Sequence, residues 1–364
     1  MRRYWCVVLL LIVACTQPTT NEVTIGFIGP LTGSSSILGQ NLEMGVMLAV
    51  DEINKQGGIA GKPLHVTFAD GQCTAKGAVN ALQRLLFKEN PVAVIVSCSP
   101  EVLGVAPILE EKKIVGFSSF ATNPKIKHAG EYIFRNVPND ELQARIAAEL
   151  IAEAGHDRVA IFHLQHDYGV GLKDALIAEL SDSVSVVAVE VHEAESANMR
   201  TQLTKIKEAD PDALYLIAFP LEGARILKQA TELGLAIPIY AAEALKDPTI
   251  IHDATNYKGD ILITVPNGEG PNYATFLSKF TQHYGREPGI YAAEAYDGVL
   301  ILQHAMLTSD GSATGIKNAL SAMKPFIGAS GVTTFDAYGE ISEKPYDFFT
   351  IENSTFVKRG VSTE

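Results

Sequence analysis

Residues 92–101 read Val-Ala-Val-Ile-Val-Ser-Cys-Ser-Pro-Glu. The first five form an unbroken apolar run with no polar alternation, as in a strand covered on both faces. Ser99 then offers a helix N-cap and Pro100 a preorganised first helical residue. A doubly covered strand turning straight into a helix is half of a parallel βαβ unit. The unit recurs outward in both directions. Upstream lie the strand Val23–Gly29, a helical stripe of Leu42, Val46, Ala49, Val50 and Ile53, and the stops Gly57, Gly58 and Gly61. The strand positions Leu64, Val66 and Phe68 and a helix with Val79, Leu82, Leu85 and Leu86 follow. Downstream come a helix over Val102–Glu111 and the strand Ile114–Phe117. The rhythm restarts near Asp140, with helices over 141–154, 170–180, 198–208 and 222–233. They alternate with strands Val159–His163, 184–189, Ala213–Ala218 and Ile237–Tyr240. One sheet could not comfortably hold so many strands. The expected fold is α/β, with two doubly wound parallel-sheet lobes joined by three crossovers. The crossings fall near Pro138, Pro266 and Ser342, giving lobe 1 as 22–139 and 266–343 and lobe 2 as 140–265 and 344–364.

A length of 364 residues suits two domains at about 150 residues each. Hydrophobic residues at 47% and charged residues at 20% exclude disorder, collagen-like repeats and coiled coil as the main character. The formal charge of −13 disfavours a general nucleic-acid binder, so no nucleic-acid partner is expected. The chain opens on Met1-Arg2-Arg3 and an apolar run, Val7–Val13, too short to span a bilayer. This is the plan of a secretory signal peptide over residues 1–14. The ending Ile12-Val13-Ala14-Cys15 resembles a bacterial lipobox, which implies cleavage before Cys15 and diacylation of its thiol. The polar stretch 15–21 would be a tether. The body is then expected to be soluble and exported, at the periplasm or cell surface, and to meet the membrane only through its lipid. Cys73 and Cys98 remain as an even pair in an oxidising compartment. A bridge between them would contribute roughly 3–4 kcal/mol; two buried free thiols are the alternative.

Enzyme motifs are mostly missing. The stretch Gly57–Lys62 fails the phosphate-loop spacing, because Gln56 stands where glycine is required and Pro63 follows Lys62. Neither G-x-G-x-x-G after a strand nor G-x-S-x-G occurs. His163, His166 and Asp167 are close in sequence, but lack a recognised metal spacing. No catalytic residue, metal or cofactor is assigned. Ligands of open α/β sheets sit beyond the carboxyl ends of strands. Three such ends carry suitable groups. Ser99 stands at a helix N-terminus, a ready anion site. Ser118–Asn123 supplies hydroxyls and amides, and Ala241-Ala242-Glu243 places a carboxylate in the second lobe. One lobe could therefore take a carboxylate and the other an ammonium. The plain alternatives are a structural cap for Ser99, a turn for Thr122 and a surface acid for Glu243.

In this order, Ile28-Gly-Pro-Leu-Thr-Gly33, Asp51-Glu-Ile-Asn54, Gly57-Gly-Ile59, Gly61-Lys-Pro-Leu64 and Asp70–Cys73 form a recognisable set. Ser97-Cys-Ser99, Ala121-Thr122, Tyr168-Gly169-x-Gly171 and Tyr296-Asp297 complete it. From Val23 to at least Phe335 the chain resembles the type I periplasmic binding proteins, in particular the branched-chain amino-acid (Leu/Ile/Val) receptors of ABC transporters. The resemblance implies two lobes closing over a ligand, and a paired Cys73 and Cys98. It places the ligand carboxylate on Ser99 and Ala121-Thr122, the ammonium on Glu243, and Tyr168 in the cleft. Phe120, Phe219 and Tyr291 fall on side-chain or cleft-wall positions. Leu38 stands where known members carry an aromatic, and Phe120 is bulkier than the small residue expected there. The implied function is a monomeric, lipid-anchored solute receptor that captures an apolar amino acid and presents it to an ABC permease and ATPase. The same fold could instead take an amide, urea or aromatic acid, or partner a signalling receptor. A hydrolase would need a nucleophile or metal motif that the sequence lacks.

Overall fold

A computed structural model of the chain describes residues 22–181, 184–341 and 344–362. The signal segment, Cys15, the tether and the crossing near Ser342 lie outside the described residues. Five strands build the first sheet: β1 (Val23–Gly29), β2 (Leu64–Asp70), β3 (Ala93–Val96), β4 (Val115–Ser118) and β5 (Ile133–Arg135). Their order is β2-β1-β3-β4-β5, all parallel. The connections are α1 (Ser36–Lys55), α2 (Ala75–Lys88) and α3 (Ser99–Lys112). The apolar strands are continuous because each sheet face has its own core. Ile25, Phe27, Ala93, Ile95, Val115 and Phe117 enter one cluster with α1, while Ile28, Val94, Val96 and Ile133 enter another with α2 and α3.

The second sheet follows α4 (Asp140–Glu153). It contains β6 (Arg158–Leu164), β7 (Ser185–His192), β8 (Ala213–Ile217), β9 (Ile239–Ala241) and β10 (Ile261–Pro266). Its helices are α5 (Asp167–Glu179), α6 (Arg200–Glu208), α7 (Pro220–Glu232) and the short α8 (Ile251–Asn256). Alternation is again strict: Val159, Ile161, Tyr215 and Ile217 face one cluster, and Ala160, Phe162, Leu214 and Leu216 the other. The chain then returns to the first lobe with α9 (Tyr273–Tyr284), α10 (Ala292–Thr308), α11 (Ala313–Ser321) and the hairpin β11 (Phe326–Ile327) and β12 (Val332–Thr333). Helix α10 packs along α1, where Gly45 lets the Ala292 carbonyl approach so closely that a Cβ would stand 2.2 Å from it.

The last strands, β13 (Tyr346–Glu352) and β14 (Thr355–Val361), cross back and extend the second sheet to the order β14-β13-β10-β9-β8-β6-β7. Both pair antiparallel, so this sheet is parallel in its body and antiparallel at one edge. That edge departs from the all-parallel expectation. β13 enters the sheet antiparallel to β10 on its return from the first lobe, and β14 follows through a two-residue turn, Asn353-Ser354, with φ of 49° and 59°, the left-handed pair that matches strand twist in a hairpin. Cys73 and Cys98 are disulfide-bonded, their Cα atoms 5.3 Å apart. The bridge ties the loop after β2 to the N-terminus of α3.

Candidate functional site

Both sheets present strand ends to a common cleft. From the first lobe come Cys98 and Ser99 after β3 and residues 119–123 after β4. From the second come His166 and Tyr168 after β6, Phe219 after β8 and Glu243 after β9. Between them lies a small cavity lined by Cys98, Ser99, Phe120, His166, Tyr168, Phe219 and Glu243.

Its first-lobe wall is held by buried polar bonds. The Ser118 hydroxyl accepts the amides of Phe120 at 3.4 Å and Ala121 at 3.0 Å. Ser99 Oγ accepts the Asn123 amide at 3.3 Å. The fully buried Arg135, at the end of β5, donates Nη1 to the carbonyls of Ala121 and Asn123, both at 3.1 Å. Its Nη2 pairs with Glu340 at 2.5 Å. Arg135 thus fixes the loop that carries Phe120, Ala121 and Thr122. Behind Ser99, Glu101 accepts the amides of Cys98 at 2.9 Å and Cys73 at 3.0 Å, and burial pushes its carboxyl up to about 7.

The second-lobe wall is acidic and aromatic. Glu243 is buried and accepts the Tyr168 hydroxyl at 3.1 Å. Burial raises its pKa, opposed by its own amide and by the Gln143, Tyr168 and Tyr291 side chains. Asp140, at the start of α4, is equally buried; burial first and the Glu243 charge second push its carboxyl well above the usual range. Thr122 and Arg135 oppose this weakly. Neither Asp140 oxygen has a hydrogen-bond partner in the structure, nor do Thr122 Oγ1 or the hydroxyls of Tyr215, Tyr291 and Tyr346. Two adjacent carboxyl groups, one of them with both acceptors unmet, favour a group that brings positive charge and N–H donors.

Of the ligand residues expected from sequence, Ser99, Phe120, Tyr168, Phe219 and Glu243 meet around the cavity. Tyr168 stacks on Phe219, 5.8 Å between centroids. Tyr291 stands edge-on to Phe120 at 5.2 Å, with its hydroxyl toward Glu243. Ala121 points into the first-lobe core, Thr122 faces Asp140, and Leu38 is buried in α1 away from the cavity lining. His163, weighed as a metal ligand, bonds the Leu164 carbonyl through Nδ1 at 3.0 Å. Among the described residues no group of three His, Cys, Asp or Glu is placed to hold a metal ion. Asp140, Gln143 and Arg135 escape a sequence reading because two sit in a helix like solvated residues and the third ends a three-residue strand. His166 was legible only as part of a failed metal pattern.

Two wound lobes meeting at their strand ends around a small cavity define a two-lobed solute-binding protein. The family described as periplasmic binding protein matches residues 22–355, and the chain belongs to it, within the branched-chain amino-acid group of its type I members. A leucine-, isoleucine-, valine-, threonine- and alanine-binding protein of Pseudomonas aeruginosa is 25% identical over 338 residues, 91% of this chain and 90% of that protein. A branched-chain amino acid transporter substrate-binding protein from Streptococcus pneumoniae, solved with isoleucine, superposes with a TM-score of 0.83. It is 25% identical and covers 93% of this chain and 100% of its own. A solute-binding protein of R. palustris in complex with benzoate shares the fold at a TM-score of 0.82 and 17% identity, covering 93% of this chain and 96% of its own.

Proposed function

We propose that the protein captures an amino acid, branched-chain or otherwise apolar, in the cleft between its lobes and delivers it to an ABC permease and its ATPase. The bodies that close are residues 22–139 with 266–343, and 140–265 with 344–364. The observation that carries this reading is the buried Glu243, with the buried Asp140 close enough to feel its charge, facing Ser99 across a small cavity. An α-ammonium supplies the positive charge and donors that these acids lack, while Ser99, Thr122 and nearby amides take the carboxylate. Phe120, Phe219 and Tyr291 wall the side chain and exclude charge. The ligands named for the Pseudomonas and Streptococcus relatives are of this class. Export, acylation of Cys15 and attachment to a membrane surface belong to the same reading. No helix among the described residues is long and apolar enough to cross a membrane.

The stacked Tyr168–Phe219 pair favours a second reading, an aromatic ligand. An aromatic acid, however, would bring an anion without N–H donors to the unmet Asp140 acceptors, so within this reading an amide or an aromatic amino acid fits better. Titration calorimetry with Leu, Ile, Val, Ala, Thr, Phe, an amide and benzoate separates these. Binding of benzoate with no heat from any amino acid overturns the proposal.

A further inference from the structure

His166 caps α5 and touches both lobes. Its Nδ1 accepts the Tyr168 amide at 3.3 Å. A backbone N–H can only donate, so Nδ1 holds a lone pair and the ring proton is on Nε2. That nitrogen donates to the Cys73 carbonyl at 2.9 Å, in the first lobe and 93 residues away. The neighbouring Asp167 carbonyl receives the Asn123 side-chain amide, a second bond across the cleft. The imidazole stands edge-on to Phe219 at 5.7 Å. It lines both the inner cavity and an outer groove shared with Thr32, Gln72 and Glu195. Cys73 is immobilised by its disulfide and by Glu101, so its carbonyl is a fixed acceptor.

We propose that His166 is a latch: in its neutral form it holds the lobes closed over the ligand and positions Tyr168 against Glu243. The proposal rests on the reading of the cleft as a closing amino-acid site. A second proton on Nδ1 would oppose the Tyr168 N–H, donor against donor, and remove the cap. The charged groups around the ring are Asp167 on its own helix, Glu195 after β7, Glu243 beyond Tyr168, and Glu101 behind the disulfide. Among the described residues no lysine or arginine lines either cavity. Burial in the closed form lowers the imidazole pKa. Opening re-exposes the ring, whose ordinary pKa is about 6.5. Closure below that pH therefore expels a proton, and affinity falls by up to about tenfold per pH unit.

The test compares wild type, His166→Gln and His166→Asn by calorimetry and stopped-flow release of the tightest-binding amino acid from pH 8 to 5.5. Asparagine keeps a cap acceptor but cannot reach Cys73, so release should quicken roughly three- to tenfold at pH 7.5 with unchanged melting temperature. Glutamine reaches the carbonyl without titrating, so whatever its affinity at pH 7.5, it should lose less of it in acid than wild type does. Identical release by His166→Asn and wild type overturns the latch. So does an equal acid loss in wild type and His166→Gln, which would belong to Asp140 and Glu243. If no amino acid binds any variant, the amino-acid reading fails instead. The latch is then judged from the imidazole ¹⁵N signals of the wild type, where an Nδ1–H tautomer at neutral pH refutes it.

Discussion

Glu243 and Asp140 are two acids that the fold keeps out of water beside each other. Removing Glu243 would leave a closed cleft with a poorly met ammonium, a loss of about 2–5 kcal/mol. Glu243→Ala should therefore bind the amino acid roughly 30-fold more weakly, or worse, by calorimetry. Glu101 gives a different expectation. Its carboxyl lies at about 7 against an ordinary 4.5. A group raised on folding adds stability that is complete below its unfolded pKa and is lost as pH rises through the folded one. Ligand-free melting temperature should thus decline between about pH 4.5 and 7, and less so in Glu101→Gln; an equal decline in both would assign it elsewhere. Glu243 was legible because it follows an apolar strand, where ligands gather. Asp140 was not: nothing in Asn139-Asp140-Glu141 distinguishes a buried acid from the solvated first turn of a helix, and only the packing of Tyr168, Tyr215 and Tyr346 around it makes it unusual.

At the scale of elements, the doubly covered strands were readable, since two apolar faces leave no polar alternation. The edge hairpin β13–β14 was not, because its mixed residues face partly to solvent and its partner β10 lies far back in the chain, Val265 pairing with Asp347, 82 positions on. The motif Tyr168-Gly169-x-Gly171 gains a physical basis in α5. A Cβ on Gly169 would stand 2.2 Å from the Leu164 carbonyl, and one on Gly171 only 2.3 Å from the Asn123 side-chain amide. The first glycine permits the sharp turn from strand to helix, and the second lets the lobes meet. Gly171→Ala should accordingly leave the melting temperature of the ligand-free protein nearly unchanged while weakening ligand binding by tenfold or so, about 1.4 kcal/mol of obstructed closure. A variant that binds as wild type would show that the Asn123–Asp167 contact is dispensable.

For the whole molecule, the alternation of units made two lobes legible from the sequence. Their mutual closeness was not, since contacts such as His166 to Cys73 depend on side chains at opposite strand ends. The structure is a closed arrangement, with bonds spanning the cleft. Small-angle scattering should show a radius of gyration that shrinks when the amino acid is added; an unchanged radius would mean that the lobes do not move. The interleaved path of the chain reaches further. Helix α1 receives its covering partner α10 only after the whole first pass through the second lobe, and Glu52 waits for Lys279 and Tyr296 to arrive at 2.6 and 3.0 Å. The second sheet in turn lacks its edge until residues 346–361 exist. A nascent chain therefore holds no finished first lobe until α9 to α11 have been made and no finished second sheet until β13 and β14 have, so neither lobe can fold to completion before the other has begun.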